Sequence, residues 1–201
     1  MSSSRSLVVR ANAPVAPRTA GLVMGVWTAL LWVIELVDHL LRGTLDALGI
    51  RSWSLDSLGS VFVAPFLHGG WAHLLANTVP FAVLGFLVLL GGTLRAVSAT
   101  VIVAVVSGLF AWLLNPPNTL TIGASGLIFG WLSYLLARAV FSRNGTQIVL
   151  AIVVFAVYGG VLWGVFPSQA GVSWQAHLGG AVGGVLAAWL LHRRRTVNPA
   201  R

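Results

Sequence analysis

The sequence has no cysteine, which excludes disulfides, thiolate metal ligation and a cysteine nucleophile. It has no lysine, so all 12 of its Lys and Arg positions are arginine. Acidic residues number only 4 (Glu35, Asp38, Asp46 and Asp56), and none follows residue 56. Chemistry in the later chain therefore cannot rest on paired carboxylates. Charged residues are 8% of the total, against about a quarter in an average soluble domain. That is too little polar surface to cover a globule in water. What the chain has in quantity is apolar residue, 57% of 201, and the class this implies is an all-α, polytopic membrane protein. The net charge of +8 would suit nucleic acid if the arginines shared one exposed face. They stand instead between apolar runs, and no nucleic-acid partner is expected.

Runs long enough to cross a ~30 Å hydrocarbon core occur at Ala20–Leu41, Phe66–Leu90, Ala96–Leu114, Thr121–Ala137, Ile148–Phe166 and Trp174–Leu191. The first is too long for a signal peptide, and no small-residue cleavage site follows it. With six spans, Arg5, Arg10, Arg18, Arg95, Arg138, Arg143, Arg193, Arg194, Arg195 and Arg201 all fall on one side. The positive-inside rule makes that side the cytoplasm and puts both termini there. The opposite side keeps only Arg42 and Arg51, offset by Asp46 and Asp56. Residues 1–19 and 193–201 then read as basic cytoplasmic tails flanking a core of residues 20–192, in a multi-pass protein of the cell membrane.

Polar side chains at membrane depth are costly and point to function. Span two carries His68, His73 and Asn77; the last two are spaced i, i+4 and share a helical face. Span four opens with Gly123-Ala124-Ser125-Gly126, and span six with Ala176-His177-Leu178-Gly179-Gly180. All three spans enter from the outer face, so His73, Asn77, Ser125 and His177 fall at comparable depth. A serine hydroxyl needs a base, and histidine suits that task near neutral pH. An acyl-transfer transition state also needs donors for its oxyanion, and Asn77, His73 and the Ser125 backbone N–H are available. Gly123 and Gly126 permit close approach of a helix or substrate. With no acidic residue at hand, a Ser–His dyad is the simplest arrangement. His68, on another face beside Gly69-Gly70, reads as a structural hydrogen bonder. Glu35–His39 and Asp38–Arg42 read as i, i+4 pairs that satisfy each other.

These residues resemble the rhomboid family of intramembrane serine proteases in its basic six-span bacterial form, over about Val61 to Leu191. His73-Leu74-Leu75-Ala76-Asn77 is similar to the family's H-x-x-x-N, Gly123-Ala124-Ser125-Gly126 to its G-x-S-G, and His177, Gly180 and Gly184 to its H-x-x-G-x-x-x-G. The resemblance implies a six-helix rhomboid-like bundle. It makes Ser125 the nucleophile, His177 the base, and His73, Asn77 and the Ser125 N–H the oxyanion hole. Gly180 and Gly184 would bring span six close to span four, and span five with the loop Pro167–Ser173 would gate entry. Many relatives carry a Tyr four residues after the nucleophile; here it is Phe129, which keeps the ring for stacking on His177. The family's Trp-Arg pair in the first outer loop is absent, with Arg51 and Trp53 in the opposite order.

The expected activity is endopeptidase cleavage of other proteins' transmembrane segments near their outer end. No metal or small-molecule cofactor is called for, and the partners are membrane-protein substrates and lipid. The setting the resemblance implies is a bacterial plasma membrane. The alternatives are a non-catalytic rhomboid-like binder of membrane helices and a small transporter. A transporter calls for polar residues through the full thickness, whereas the inner halves of spans two, four and six hold only Ser133 and Tyr134. A dead relative would lack Ser125 or His177.

Overall fold

A computed structural model describes residues 13–167 and 171–192. The expected tails beyond them, with Arg5, Arg10, Arg193, Arg194, Arg195 and Arg201, lie outside the described residues, as does part of the loop Pro167–Ser173. The described residues form six long helices: α1 (Pro17–Leu40), α2 (Trp71–Leu89), α3 (Thr93–Leu114), α4 (Ser125–Ser142), α5 (Gly145–Tyr158) and α6 (Trp174–His192). A 3₁₀ segment, Gly159–Val165, extends α5. The segments Pro17–Leu40, Trp71–Leu89, Thr93–Leu114, Ser125–Ser142 and Gly145–Val165 are long and apolar enough to cross a membrane. Helix α6 has 19 residues, but Gln175, His177 and its glycines dilute its apolar character.

Helix α4 is the buried centre. Leu127, Ile128, Trp131, Leu132, Tyr134 and Leu135 are all core residues, whereas α5 has only Val154 buried and turns Ile152, Val153, Phe155 and Val157 outward. Small residues set the closest approach. A Cβ at Gly180 would collide with the Gly126 carbonyl, and one at Gly184 with the Gly130 carbonyl and Ser133 Oγ. Gly130 in turn leaves no room for a Cβ against Val103 of α3. Without a hydrophobic driving force between helices in lipid, such close contact is what holds helices together. Ser133 Oγ adds a 2.8 Å hydrogen bond to the Ala181 carbonyl across the same interface.

Several boundaries differ from the hydropathy reading. Span two becomes helical at Trp71, not Phe66, because Pro65 sits in a 3₁₀ turn (Ala64–Phe66) and Gly70 has φ of 111°. Residues Leu41–Gly70 thus form a structured connection, with further 3₁₀ turns at Leu45–Leu48 and Leu55–Phe62. Span four begins at Ser125, since Leu120–Thr121 is a strand (β2) paired antiparallel with Ile50–Arg51 (β1) in the register Ile50↔Thr121, Arg51↔Leu120. Its far end reaches Ser142, which brings Arg138 inside the helix, 3% exposed. The i, i+4 pairs near the end of α1 also give way. Asp38 accepts the Leu45 backbone N–H at 2.6 Å, capping the connection, and His39 packs on Trp71 with centroids 5.8 Å apart. Glu35 is buried with its Oε2 unpartnered.

Candidate active site

The site is built around the first residue of α4. Gly123 has φ of 118°, a region open to glycine and strained for other residues. That turn ends the extended segment and starts the helix at Ser125. It is anchored by the Gly123 N–H donating to the Ala64 carbonyl at 2.9 Å, while the Ala124 N–H reaches His68 Nε2 at 3.5 Å. His68 therefore joins loop to helix, 1% exposed. At the start of a helix the first N–H groups have no intrahelical partner and carry the positive end of the dipole. Here the Ser125 N–H is one of them.

Helix α6 delivers His177 in its first turn, close behind Trp174, and three contacts fix that start. Ser173 Oγ accepts the Ala176 N–H at 3.2 Å as an N-cap, a role for which serine is preferred. Asn115, at the end of α3, donates to Ser173 Oγ at 3.1 Å and to Thr121 Oγ1 at 2.8 Å. Ser107 of α3 donates to the Ala176 carbonyl at 2.8 Å. The sequence marks Asn115 only as the start of the turn Asn115-Pro116-Pro117-Asn118 that ends span three, and it gives Ser107, Thr121 and Ser173 no part in the site. The S-x-x spacing ahead of the helix was the one available signal, and it pointed to Ser173 alone.

Ser125 Oγ and His177 Nε2 are 2.9 Å apart. The other ring nitrogen, Nδ1, is 2.9 Å from the carbonyl of Gly164. A carbonyl can only accept, so the proton sits on Nδ1 and leaves the Nε2 lone pair facing the serine O–H. The group that selects the tautomer is a backbone atom of the 3₁₀ segment after α5, which no side-chain pattern announces. A Cβ at Gly164 would stand 2.7 Å from Phe129 Cζ and 3.3 Å from His177 Nδ1, so a side chain here would press on both rings. The Phe129 ring lies on the imidazole, centroids 4.1 Å apart and planes 9° from parallel.

His73 and Asn77 face the same cavity, about 930 Å³, which Ser125 and His177 also line. His73 Nδ1 accepts the Gly69 N–H at 3.4 Å, which leaves the proton on Nε2, and that nitrogen packs against Gly123 so closely that a Cβ there would be 2.8 Å away. Asn77 Nδ2 gives one hydrogen to the His73 carbonyl at 3.2 Å and keeps a second to donate. The cavity thus collects a hydroxyl, an unprotonated imidazole nitrogen and three N–H donors. Gly126 lines the cavity, while Gly180 and Gly184 pack against the Gly126 and Gly130 carbonyls at the α4–α6 contact. Among the described residues no cluster of His and acidic side chains could hold a metal ion.

Comparison with known proteins gives the family. An uncharacterized protein of Mycobacterium tuberculosis is 49% identical over 179 residues, covering 85% of this chain and 75% of its own length. A Mycobacterium leprae counterpart, also printed as uncharacterized, is 46% identical over 179 residues, 85% of this chain and 71% of that one. Rhomboid-like protease 5 of Toxoplasma gondii is 32% identical over 151 residues, 72% of this chain and 17% of that much longer protein. The family model for the Rhomboid domain matches residues 56–194, a stretch that holds every helix contributing to the cavity. With apolar helices on this scale around it, the chain is a multi-pass membrane protein and belongs to the rhomboid family.

Proposed function

We propose that this chain is an intramembrane serine endopeptidase acting through Ser125 and His177. The observation that carries the reading is the alignment Ser125 Oγ–His177 Nε2–Gly164 carbonyl, with both separations 2.9 Å. His177 Nε2 takes the serine proton as Oγ attacks a peptide carbonyl. The imidazolium so formed is stabilised by the Gly164 carbonyl dipole in the role that a carboxylate fills elsewhere. The oxyanion accepts from the Ser125 N–H, His73 Nε2–H and the second Asn77 hydrogen, an arrangement in which one donor is typically worth about 10²–10³ in kcat. His177 then gives its proton to the departing amine. Water entering the cavity is deprotonated by the same nitrogen, attacks the acyl-enzyme and releases the carboxylate product. The substrates proposed are transmembrane segments of other proteins, cut near the outer end.

The arginine distribution supports six spans, α1 to α6, with residues 20–192 as the protease core, both tails cytoplasmic and a bacterial plasma membrane as the setting. The test is labelling with a serine-directed fluorophosphonate, together with processing of a panel of co-expressed membrane substrates. Wild type is expected to label and to cleave; Ser125→Ala and His177→Ala are expected to do neither. Equal labelling of all three proteins rules out the dyad, and equal processing by wild type and Ser125→Ala rules out the protease.

A further inference from the structure

A second polar cluster lies at the opposite end of the bundle from the cavity. Arg138 of α4 is 3% exposed, its Nε has no hydrogen-bond partner, and its guanidinium sits 5.7 Å from the Tyr134 ring centroid. Tyr134 OH is in turn 2.8 Å from His192 Nε2 at the end of α6. The turn between α2 and α3 brings a second guanidinium. Arg95 Nη1 donates to the Gly91 carbonyl at 3.4 Å, and a Cβ on Gly91 would come 2.6 Å from Arg138 Nη1. Two arginines therefore converge on Gly91, one of them buried.

A buried charge needs a partner of opposite sign, and the sequence supplies no acidic side chain. All four, Glu35, Asp38, Asp46 and Asp56, belong to the far end of α1 and the connection after it. Among the described residues no anion faces Arg138, and in the proposed topology its level, one turn inside the end of α4, is that of the headgroups. A cleft of about 530 Å³ reaches the same turn. Val88, Leu89 and Thr93 beside Gly91 form one end of it, and Met24, Trp27 and Trp131 line its apolar body. Trp131 stands seven residues before Arg138, on the same face of α4.

We infer that this cluster and cleft bind one anionic phospholipid, its phosphate on Arg95 and Arg138 and an acyl chain between α1 and α3. Basic pockets between membrane helices suit anionic headgroups, and a zwitterionic headgroup would set its own cation against the two guanidiniums. In the proposed topology this is the cytoplasmic leaflet.

The experiment uses the full chain in phosphatidylcholine nanodiscs, with thermal unfolding followed by tryptophan fluorescence as phosphatidylglycerol is added. Inorganic phosphate added to pure phosphatidylcholine discs forms a separate arm. Wild type is expected to gain stability saturably with phosphatidylglycerol and not with inorganic phosphate. Arg95→Gln and Arg138→Met should each need about fivefold more phosphatidylglycerol or worse for the same gain. Arg143→Gln, an exposed arginine at the same end, should respond as wild type does. Arg138→Met removes the buried charge, and Arg95→Gln alters a half-buried side chain, so a folding failure of one leaves the other to decide. An equal response from wild type and Arg95→Gln overturns the site. An equal loss in Arg143→Gln reduces the effect to diffuse surface charge, and stabilisation by inorganic phosphate alone overturns the lipid as ligand.

Discussion

At the scale of single residues, the candidate site depends on where one proton sits. The Gly164 carbonyl holds it on Nδ1 of His177, and the Phe129 ring fixes the plane in which Nε2 meets Ser125. Stacked aromatic pairs are worth about 0.5–1.5 kcal/mol beyond burial, which corresponds to a loss of about two- to tenfold in rate when that alignment goes. Phe129→Leu is therefore expected to lower kcat by about that factor with little change in KM. Phe129→Tyr, which preserves the ring, should stay within about twofold of wild type. Cleavage of one membrane substrate, measured for both variants in the same detergent, checks this. An unchanged kcat in Phe129→Leu would mean that His177 is positioned without the stack. The side chains of the site were legible in the sequence because Ser125, His177, His73 and Asn77 are polar residues in apolar runs. The Gly164 carbonyl was not, since every residue but the last in a chain offers a peptide carbonyl and only folding selects one.

At the scale of elements, the α4–α6 contact sets the Ser125–His177 distance, because each helix brings one of the two. Gly184 packs against the Gly130 carbonyl and Ser133 Oγ with no space for a methyl group. Overpacking of this kind costs about 1–3 kcal/mol, and here it must also separate the two helices two turns from the reacting atoms. Gly184→Ala is expected to lower the unfolding temperature by several degrees and to abolish most labelling of Ser125. Gly25→Ala, in α1 with nothing within 4 Å of the added Cβ, makes the control. It should be neutral or stabilising by up to about 1 kcal/mol, with labelling intact. Thermal unfolding of the two variants side by side gives the answer, and equal behaviour would show that the contact tolerates expansion. The helices themselves could be read from their apolar runs, but their starts could not. Whether Thr121 or Ser125 begins the fourth run depends on the strand pairing Ile50↔Thr121, which joins segments seventy residues apart and leaves no local trace. The same non-local ties, Ser52 N–H to the Thr119 carbonyl and Asn118 N–H to the Ser52 carbonyl, order the connection after α1 without any hydropathy signal.

At the scale of the whole molecule, the arginine bias predicts a sidedness, yet it conceals a second fact. Counting Arg138 as a loop charge proposes a side of the membrane for it and hides that it is buried in α4, because a positive-inside count weighs charges near span ends without asking which are covered. The sidedness itself makes a clean prediction, because the chain contains no cysteine and any introduced thiol is the only one. Leu55 lies in the connection between α1 and α2 and is 72% exposed; Arg143 is exposed at the α4–α5 turn. In the proposed topology these positions face opposite sides. Leu55→Cys in intact cells should react with a membrane-impermeant maleimide, and Arg143→Cys should react only after the membrane is opened. Val61, Ala64 and Pro65 of the same connection line the cavity, so the outcome also decides from which side water and substrate reach Ser125. Reaction of Arg143→Cys in intact cells, with Leu55→Cys silent, would invert the protein and move the proposed cleavage to the cytoplasmic face.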